Sequence, residues 1–516
     1  MSKIVEANAA NGKAEKPSLF QKLLNKVEIY GNKLPDPVTL FAAFTLIILV
    51  ASAIFSSLGV KSVHPGTGEE IQVVNLLNGA GIRSIVETLV PNFTGFPPLG
   101  LVLVVMLGVG LAESTGLVTT FMKTTILNAP AKIILPTILL IAVLGNTAAD
   151  AAQVVLPPIA AMIFAALGRN PIAGLIAGYA TVTGAFSANL LVSMLDPLLS
   201  GFTQAGANLI DPNYVANPAI NWYFMIASTF VIIPVAMFVT TKITEPRLGA
   251  YTGTVEKLEK ATPEEKRGLL WAAIALALYT IVILLLVLPE NAILRNQETG
   301  GVIVSPFMTG IVPIMLFAFL LPALAYGFGA KVLKSDKDVA EHLTKAMSGM
   351  GGYIVLAFVA AQMIAFFGMS NLGPIIAIEG AGFLKGIGFE GLPLILGFIA
   401  IAALINLLIA SASAKWALLA PVFVPMFMLL GYDPAVTQVA YRIADSITNP
   451  ITPMLAYFAI LLTFAKKYDK NIGMGTLLAS LLPYSIAFAI FWIILFVIWF
   501  LLGLPLGPGG GIHLPQ

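Results

Sequence analysis

The sequence predicts an all-α polytopic membrane protein, with about nine transmembrane helices plus two re-entrant hairpins in inverted-topology repeats with broken helices. Three observations predict it. The 516-residue chain is 58% hydrophobic and only 10% charged, with mean hydropathy +0.92, whereas a soluble domain carries about 25% charge. Apolar runs of about 20 residues, the length that spans a bilayer, recur along it. One stretch also appears twice. Residues 151–171 (AAQVVLPPIAAMIFAALGRNP) and 414–434 (AKWALLAPVFVPMFMLLGYDP) share Leu156/Leu419, Pro158/Pro421, Phe164/Phe427, Leu167/Leu430, Gly168/Gly431 and Pro171/Pro434 at a constant offset of 263 positions. Shared Leu and Phe come easily in so apolar a chain; matched Gly and Pro do not.

Composition excludes several function classes. There is no cysteine, hence no disulfide framework or thiolate metal site, and the three histidines (His64, His342, His513) lie outside the apolar runs. A net charge of +2 suggests no nucleic-acid partner. No P-loop, nucleophile elbow or metal-ligand helix pair occurs, which argues against an enzyme and leaves ion gradients as the energy source. The first 34 residues are polar and lysine-rich without the apolar core of a secretory signal, so the first transmembrane helix drives insertion.

Continuous apolar spans fall near 37–58, 97–117, 221–242, 269–288, 306–328, 350–369 and 476–503. Lysine and arginine cluster in the N-terminal segment and in the loops 243–268, 329–346 and 466–470, while 200–220 has none. The positive-inside rule places the basic loops and the N-terminus in the cytoplasm and the C-terminus in the periplasm. Residues 132–199 must then cross an odd number of times. A re-entrant hairpin at 132–167, with its tip near Gly145-Asn146-Thr147, followed by one crossing at 171–199, satisfies this. In the second half a hairpin at about 394–430, with its tip near 409–413, followed by a crossing at 434–464, satisfies it again with opposite orientation. Two full crossings in place of each hairpin would leave the net topology nearly unchanged; short, polar-tipped arms favour hairpins. The layout is a cytoplasmic segment 1–34 and one transporter domain 35–516. It comprises a first repeat about 97–199, scaffold helices about 221–328, a second repeat about 350–464 and a last helix 476–503.

Both crossings after the hairpins are interrupted, by TGAFSAN at 183–189 and by SITNPITP at 446–453. Prolines remove backbone donors, and freed carbonyls at membrane depth are tolerated where they are buried in protein or line a polar cavity. Each half thus offers a hairpin tip and a helix break that can meet at the midplane, the arrangement by which secondary transporters bind ions and anionic substrates. Asn146, Asn189, Asn449 and Thr452 are the best neutral oxygen donors for Na⁺. Asp150, just past the first tip, reads either as a cation or proton ligand or as a helix-stabilising carboxylate. Asp196, followed by Pro197, closes the first broken helix near the outer face, where capping and function are equal readings. Lys415 beside the second tip snorkels into a vestibule or meets substrate. Arg442 and Asp445 share a helix face and form either a structural pair or a carboxylate-recognition site. Trp416 stacks on an aromatic ring or anchors at the interface. Asn406 is polar glue between helices or a ligand contact, and Glu113 is a helix-end residue near the cytoplasmic surface.

The runs GNTAADAAQVVLPPIAAMIF, GAFSANLLVSMLDPLLSG, SASAKWALLAPVFVPMF and YRIADSITNPITPML resemble those of the AbgT family of bacterial p-aminobenzoyl-glutamate transporters, over nearly the whole chain. The resemblance implies a fold like that of the ion transporter superfamily and a homodimer in the inner membrane. It also implies uptake of p-aminobenzoyl-glutamate or export of sulfonamide antimetabolites, coupled to sodium or protons. It carries transport roles onto Asp196, Asn406, Ser413, Trp416, Pro434, Arg442, Asp445 and Pro453. The leading expectation is a cation-coupled carrier of p-aminobenzoyl-glutamate or related aromatic carboxylates, working by alternating access, with Na⁺ as coupling ion (H⁺ the alternative), no cofactor, and membrane lipid as its surroundings. A proton-driven sulfonamide exporter is the second reading. A channel is a distant third, and an intramembrane enzyme built on Asp150 and Asp196 more distant still.

Overall fold

The structure is a computed structural model that describes residues 35, 37–63, 68–130, 133–148, 151–249, 251, 261–302, 305–409, 411–452 and 455–514. The 1–34 segment, Asp150 and Pro453 lie outside the described residues. The chain opens with α1 (Pro37–Ser57), a short antiparallel ladder of β1 (Lys61–Val63) and β2 (Glu70–Gln72), and α2 (Gly79–Thr94). Six helices follow: α3 (Pro97–Ser114), α4 (Leu117–Leu127), α5 (Ile134–Gly145), α6 (Ala151–Ala166), α7 (Pro171–Gly184) and α8 (Leu195–Ala207). The long α9 (Trp222–Leu248) closes this half. Between the halves stand α10 (Pro263–Val287), α11 (Ile311–Gly329) and the surface helix α12 (Asp336–Ser348). The second set repeats the first: α13 (Gly351–Met369), α14 (Leu372–Gly386), α15 (Gly391–Asn406), α16 (Ala412–Leu429), α17 (Pro434–Thr448) and α18 (Ala456–Tyr468), closed by the long α19 (Met474–Leu501).

Among the described residues eight helical stretches are long and apolar enough to cross a membrane. One of them, α16, is an arm of the second hairpin. The two broken crossings, α7 with α8 and α17 with α18, complete the count expected from the sequence. The hairpin arms α5, α6, α15 and α16 have 12, 16, 16 and 18 residues. At 1.5 Å per residue α5, α6 and α15 reach about 18–24 Å, short of the about 30 Å hydrocarbon core, and α16 reaches about 27 Å. Loops that the charge pattern assigns to one side pack together. Arg169 Nε meets Glu245 Oε1 at 2.7 Å, Arg267 Nε donates to the Gly329 carbonyl at 2.7 Å, and His342 Nδ1 lies 3.1 Å from Ser114 Oγ. At the other end Asn217 Nδ2 donates to the Pro508 carbonyl at 2.6 Å and the Val74 amide to the Ser370 carbonyl at 3.0 Å.

The matched residues explain themselves at the corner between hairpin and broken helix. Gly168 (φ +70°) and Gly431 (φ +88°) take the left-handed conformation that ends α6 and α16. The next amide reaches back to the matched phenylalanine, Arg169 to the Phe164 carbonyl at 2.8 Å and Tyr432 to the Phe427 carbonyl at 3.0 Å. Asn170 and Asp433 then cap α7 and α17, accepting from the amides of Ile172 (3.0 Å) and Ala435 (2.8 Å), and Pro171 and Pro434 occupy the first helical position. Each cap is latched 79 residues downstream: Asn170 Nδ2 donates to the Gly249 carbonyl at 3.1 Å, and the Asp433 amide to the Ile512 carbonyl at 3.1 Å. Gly249 and Ile512 stand at the same 263 offset. The repeat is therefore longer than its sequence similarity, running through α9 and its counterpart α19 to the tail. Every residue of α7, and every residue of α17 but the last, is buried, so these two helices form the centre of the molecule.

Gly168→Ala and Gly431→Ala are each expected to lower stability by about 1–2 kcal/mol through backbone strain alone, since a Cβ at either place meets no atom within 4 Å; thermal unfolding in detergent measures it. Burial pushes the Asp433 carboxyl up to about 6, against hydrogen bonds from the Ala435 and Gly511 amides and the Tyr214 hydroxyl that pull it down. A carboxyl raised on folding favours the protonated form, so its contribution is complete below the ordinary carboxylate range and is lost as pH rises through about 6. Lowering pH from 7.5 to 5 is expected to raise the melting temperature of the wild type relative to Asp433→Asn; parallel pH curves for the two would contradict this.

Candidate functional site

Helix α17 and the turn that follows it carry Gln438, Arg442, Asp445 and Asn449 at intervals of four, three and four, one polar stripe along a buried segment. Isolated buried charges are prohibitively costly, so each must find a partner. Arg442 Nη1 meets Asp196 Oδ1 at 2.5 Å, and Asp445 Oδ1 meets Lys415 Nζ at 2.5 Å; all four residues are at most 2% exposed. The remaining Asp196 oxygen accepts from the Ser193 amide and, at 2.8 Å, from the Ser193 hydroxyl. Asp445 Oδ2 accepts from Asn449 Nδ2 at 3.1 Å. The cluster holds two positive and two negative side chains, drawn from α8, α16 and α17. Arg442 keeps two nitrogens, Nε and Nη2, that donate to no described residue.

A chain of hydrogen bonds runs beside these pairs. Trp416 Nε1 donates to Thr203 Oγ1 at 2.9 Å and to the Leu199 carbonyl at 3.1 Å. The Thr203 hydroxyl donates to Gln438 Oε1 at 2.5 Å, Gln438 Nε2 to Asn221 Oδ1 at 2.8 Å, and Asn221 Nδ2 to the Ala435 carbonyl at 2.9 Å. The indole is fully buried and stacks on Tyr441, ring centroids 4.6 Å apart and planes 22° apart.

At the second tip Asn406, the last residue of α15, donates to the Asp445 carbonyl (2.8 Å), Thr448 Oγ1 (2.7 Å) and Asn449 Oδ1 (2.8 Å), and its own Oδ1 accepts from Lys415. Ser413 Oγ lies 3.2 Å from Ser411 Oγ, and the Ser411 hydroxyl caps α16. At the first tip Asn146 Nδ2 donates to the Ala185 carbonyl at 3.4 Å, and Asn189 Nδ2 to the Val143 carbonyl at 3.4 Å. Asn146 Oδ1 and Ser187 Oγ, both buried, find no partner among the described residues. The two helix breaks touch: the Ser187 amide donates to Ser446 Oγ at 3.1 Å, and Asn449 Nδ2 to the Thr183 carbonyl at 3.4 Å. Thr452 is buried, its hydroxyl donating to the Thr448 carbonyl at 2.8 Å.

Four expectations change. Arg442 and Asp445 do not pair with each other, because long-range partners on α8 and α16 reach them first. Lys415 does not snorkel; it is enclosed and neutralised by Asp445. Asp196 does not close the first broken helix as a solvated cap; it stands in the first turn of α8, ion-paired inside the protein. Trp416 is no interfacial anchor, since none of it is exposed. Gln438, Thr203 and Asn221 escaped the sequence reading, although Gln438 four residues before Arg442 was a visible signal. Open clefts beside Arg267, Trp271 and Lys331 and beside Glu69, Asn371 and Pro374 involve none of these residues. The four charged side chains are buried.

Comparison with known proteins agrees with this architecture. Residues 22–514 match the profile of the AbgT putative transporter family. The p-aminobenzoyl-glutamate transport protein of Escherichia coli (strain K12) is 39% identical over 489 residues, 95% of this chain and 96% of that protein. The crystal structure of the Alcanivorax borkumensis YdaH transporter, with an unusual topology, superposes with a TM-score of 0.89 at 40% identity, covering 92% of this chain and all of that one. Neisseria gonorrhoeae MtrF, whose structure illuminates a class of antimetabolite efflux pumps, superposes with a TM-score of 0.89 at 45% identity over 95% of this chain and all of that one. With its duplicated hairpins, broken central helices and nearly full-length match, the chain belongs to the AbgT family of multi-pass membrane transporters.

Proposed function

We propose that this protein is a cation-coupled secondary active transporter of p-aminobenzoyl-glutamate or related aromatic carboxylates, working by alternating access in the bacterial inner membrane as a homodimer, with its N-terminus cytoplasmic. The observation that carries the reading is Arg442. Asp196 holds one of its nitrogens, while Nε and Nη2, buried, find no partner among the described residues. Guanidinium nitrogens left over in this way suit a carboxylate, to which they donate as a fork. The Trp416–Tyr441 stack packs on the same helix, so an aromatic acid finds a cation and flat apolar faces within one region. A dianion entering this buried, electrically balanced cluster needs a movement that exposes it and a cation that accompanies it. Alternating access meets the first need and Na⁺ the second. The Na⁺ ligands in this reading come from Asn146, Asp150, Asn189, Asn449 and Thr452. Asn146 Oδ1 is the best placed, because the Asn449 oxygen already accepts from Asn406.

The 45% identity to MtrF, a member of a class of antimetabolite efflux pumps, favours a second reading, a proton-driven exporter of sulfonamide antimetabolites. Sulfonamides share the aminobenzene ring but lack the two carboxylates.

Purified protein is expected to bind p-aminobenzoyl-glutamate, and Arg442→Ala to weaken that binding about 10–100-fold, the loss of one or two charge-assisted hydrogen bonds. The double variant Arg442→Ala/Asp196→Asn keeps the interior neutral and should lose as much; undiminished binding in it would remove the carboxylate role. In liposomes an imposed Na⁺ gradient should accelerate uptake. Stimulation by a proton gradient alone would transfer the coupling role to protons and remove Na⁺ from Asn146, Asn189 and Asn449.

A further inference from the structure

Each hairpin tip carries a buried asparagine, but the two tips differ in their charged residues. In the first repeat Asn146 directly follows the last residue of α5, its Nδ2 donates to a main-chain carbonyl just past the end of α7, and its buried Oδ1 finds no partner among the described residues. In the second repeat Asn406 ends α15, its Nδ2 donates to a main-chain carbonyl near the end of α17, and its Oδ1 accepts from the Lys415 ammonium. The 263 offset places Ala152 where Lys415 stands and Val182 where Asp445 stands, and it sets Ile409 opposite Asn146 and Val143 opposite Asn406, so the two asparagines reach their tips from different positions. Lysine is unfavourable in the first turn of a helix, where the dipole presents its positive end. Lys415 occupies that turn of α16 and is completely enclosed. Its nitrogen sits between a carboxamide oxygen and a carboxylate oxygen, where the C-terminal ends of α15 and α17 converge. Hard oxygens at half-helix ends are the surroundings that transporters offer a coupling cation.

We infer that Lys415 is a tethered cation, its ammonium occupying at the second tip an oxygen-lined position that a free monovalent cation would otherwise fill. The comparison between tips rests on the proposed reading of Asn146 as a cation ligand. The chemistry of the second tip stands apart from it. Replacing Lys415 by a neutral side chain of similar length leaves Asp445, Asn406 and Asn449 around an uncompensated negative charge, which a small monovalent cation from solution can neutralise.

The test is thermal unfolding of the purified full-length protein in NaCl against choline chloride at equal ionic strength, for wild type, Lys415→Met, Lys415→Arg and Lys415→Met/Asp445→Asn. Lys415→Met is expected to be destabilised in choline and to gain about twice the wild-type Na⁺-dependent rise in melting temperature, since a second ligand now binds the folded state. Lys415→Arg and the double variant should keep the wild-type Na⁺ response. A Lys415→Met variant that folds but responds to Na⁺ no more than wild type overturns the inference, as does an equally enlarged response in the double variant. If Lys415→Met does not yield folded protein in choline, growth and purification in NaCl should rescue it, and failure in both salts also overturns it. A wild type without any Na⁺ response, beside a Lys415→Met variant that has one, would refute the Asn146 reading and leave the tethered cation standing.

Discussion

Four ionised side chains in the middle of a membrane protein constrain everything around them. Asp196, Lys415, Arg442 and Asp445 are all but inaccessible, and removing any one leaves a buried charge that costs about 3–5 kcal/mol. The two ion pairs that settle this account join the first repeat to the second (Asp196 with Arg442) and the second hairpin to its broken helix (Lys415 with Asp445). They dictate that α8, α16 and α17 approach closely. The neutral hydrogen-bond chain from Trp416 to Asn221 then fixes the angle at which α8 and α17 lie. Opening a path to Arg442 therefore means separating charged elements in a controlled order, and a charged substrate or ion that replaces a lost partner lowers the cost of doing so.

Much of this was legible in the amino acids, for local reasons. Phe164, Gly168 and Pro171 and their counterparts are spaced by the requirements of one corner: a carbonyl to receive a back-bond, a left-handed residue, and a first helical position that tolerates a missing amide. Those requirements act within eight residues, so they survive in the sequence even where the flanking helices have diverged. The breaks at 183–189 and 446–453 were equally visible, because proline, glycine and small polar residues interrupt an apolar run. Of the stripe that begins on α17, Arg442, Asp445 and Asn449 were singled out and Gln438 was passed over.

The partners of the buried charges were not legible. Periodicity ranks neighbours three and four residues away, and on that basis Arg442 and Asp445 seemed matched to each other. Asp196 lies 246 positions from Arg442, and only the packing of α8 against α17 brings them together. Lys415 misled for a related reason: a long flexible cation near a hairpin tip snorkels when water is in reach, and the burial that prevents it comes from helices far away in the sequence. The short ladder β1–β2, the helix α2 and the surface helix α12 were missed because none is long and apolar, the property that organised the reading.

The 79-residue latch on each corner has a consequence for how the chain is made. Gly249 follows α9 directly, so the first corner, from Phe164 to Asn170, acquires its fastening as soon as that helix emerges, before any of the second repeat has been translated. The second corner repeats the operation at Ile512. Each repeat is thus a unit of biosynthesis that can fasten itself in order. The exception is Asp196, which enters the nascent protein far ahead of the arginine that neutralises it.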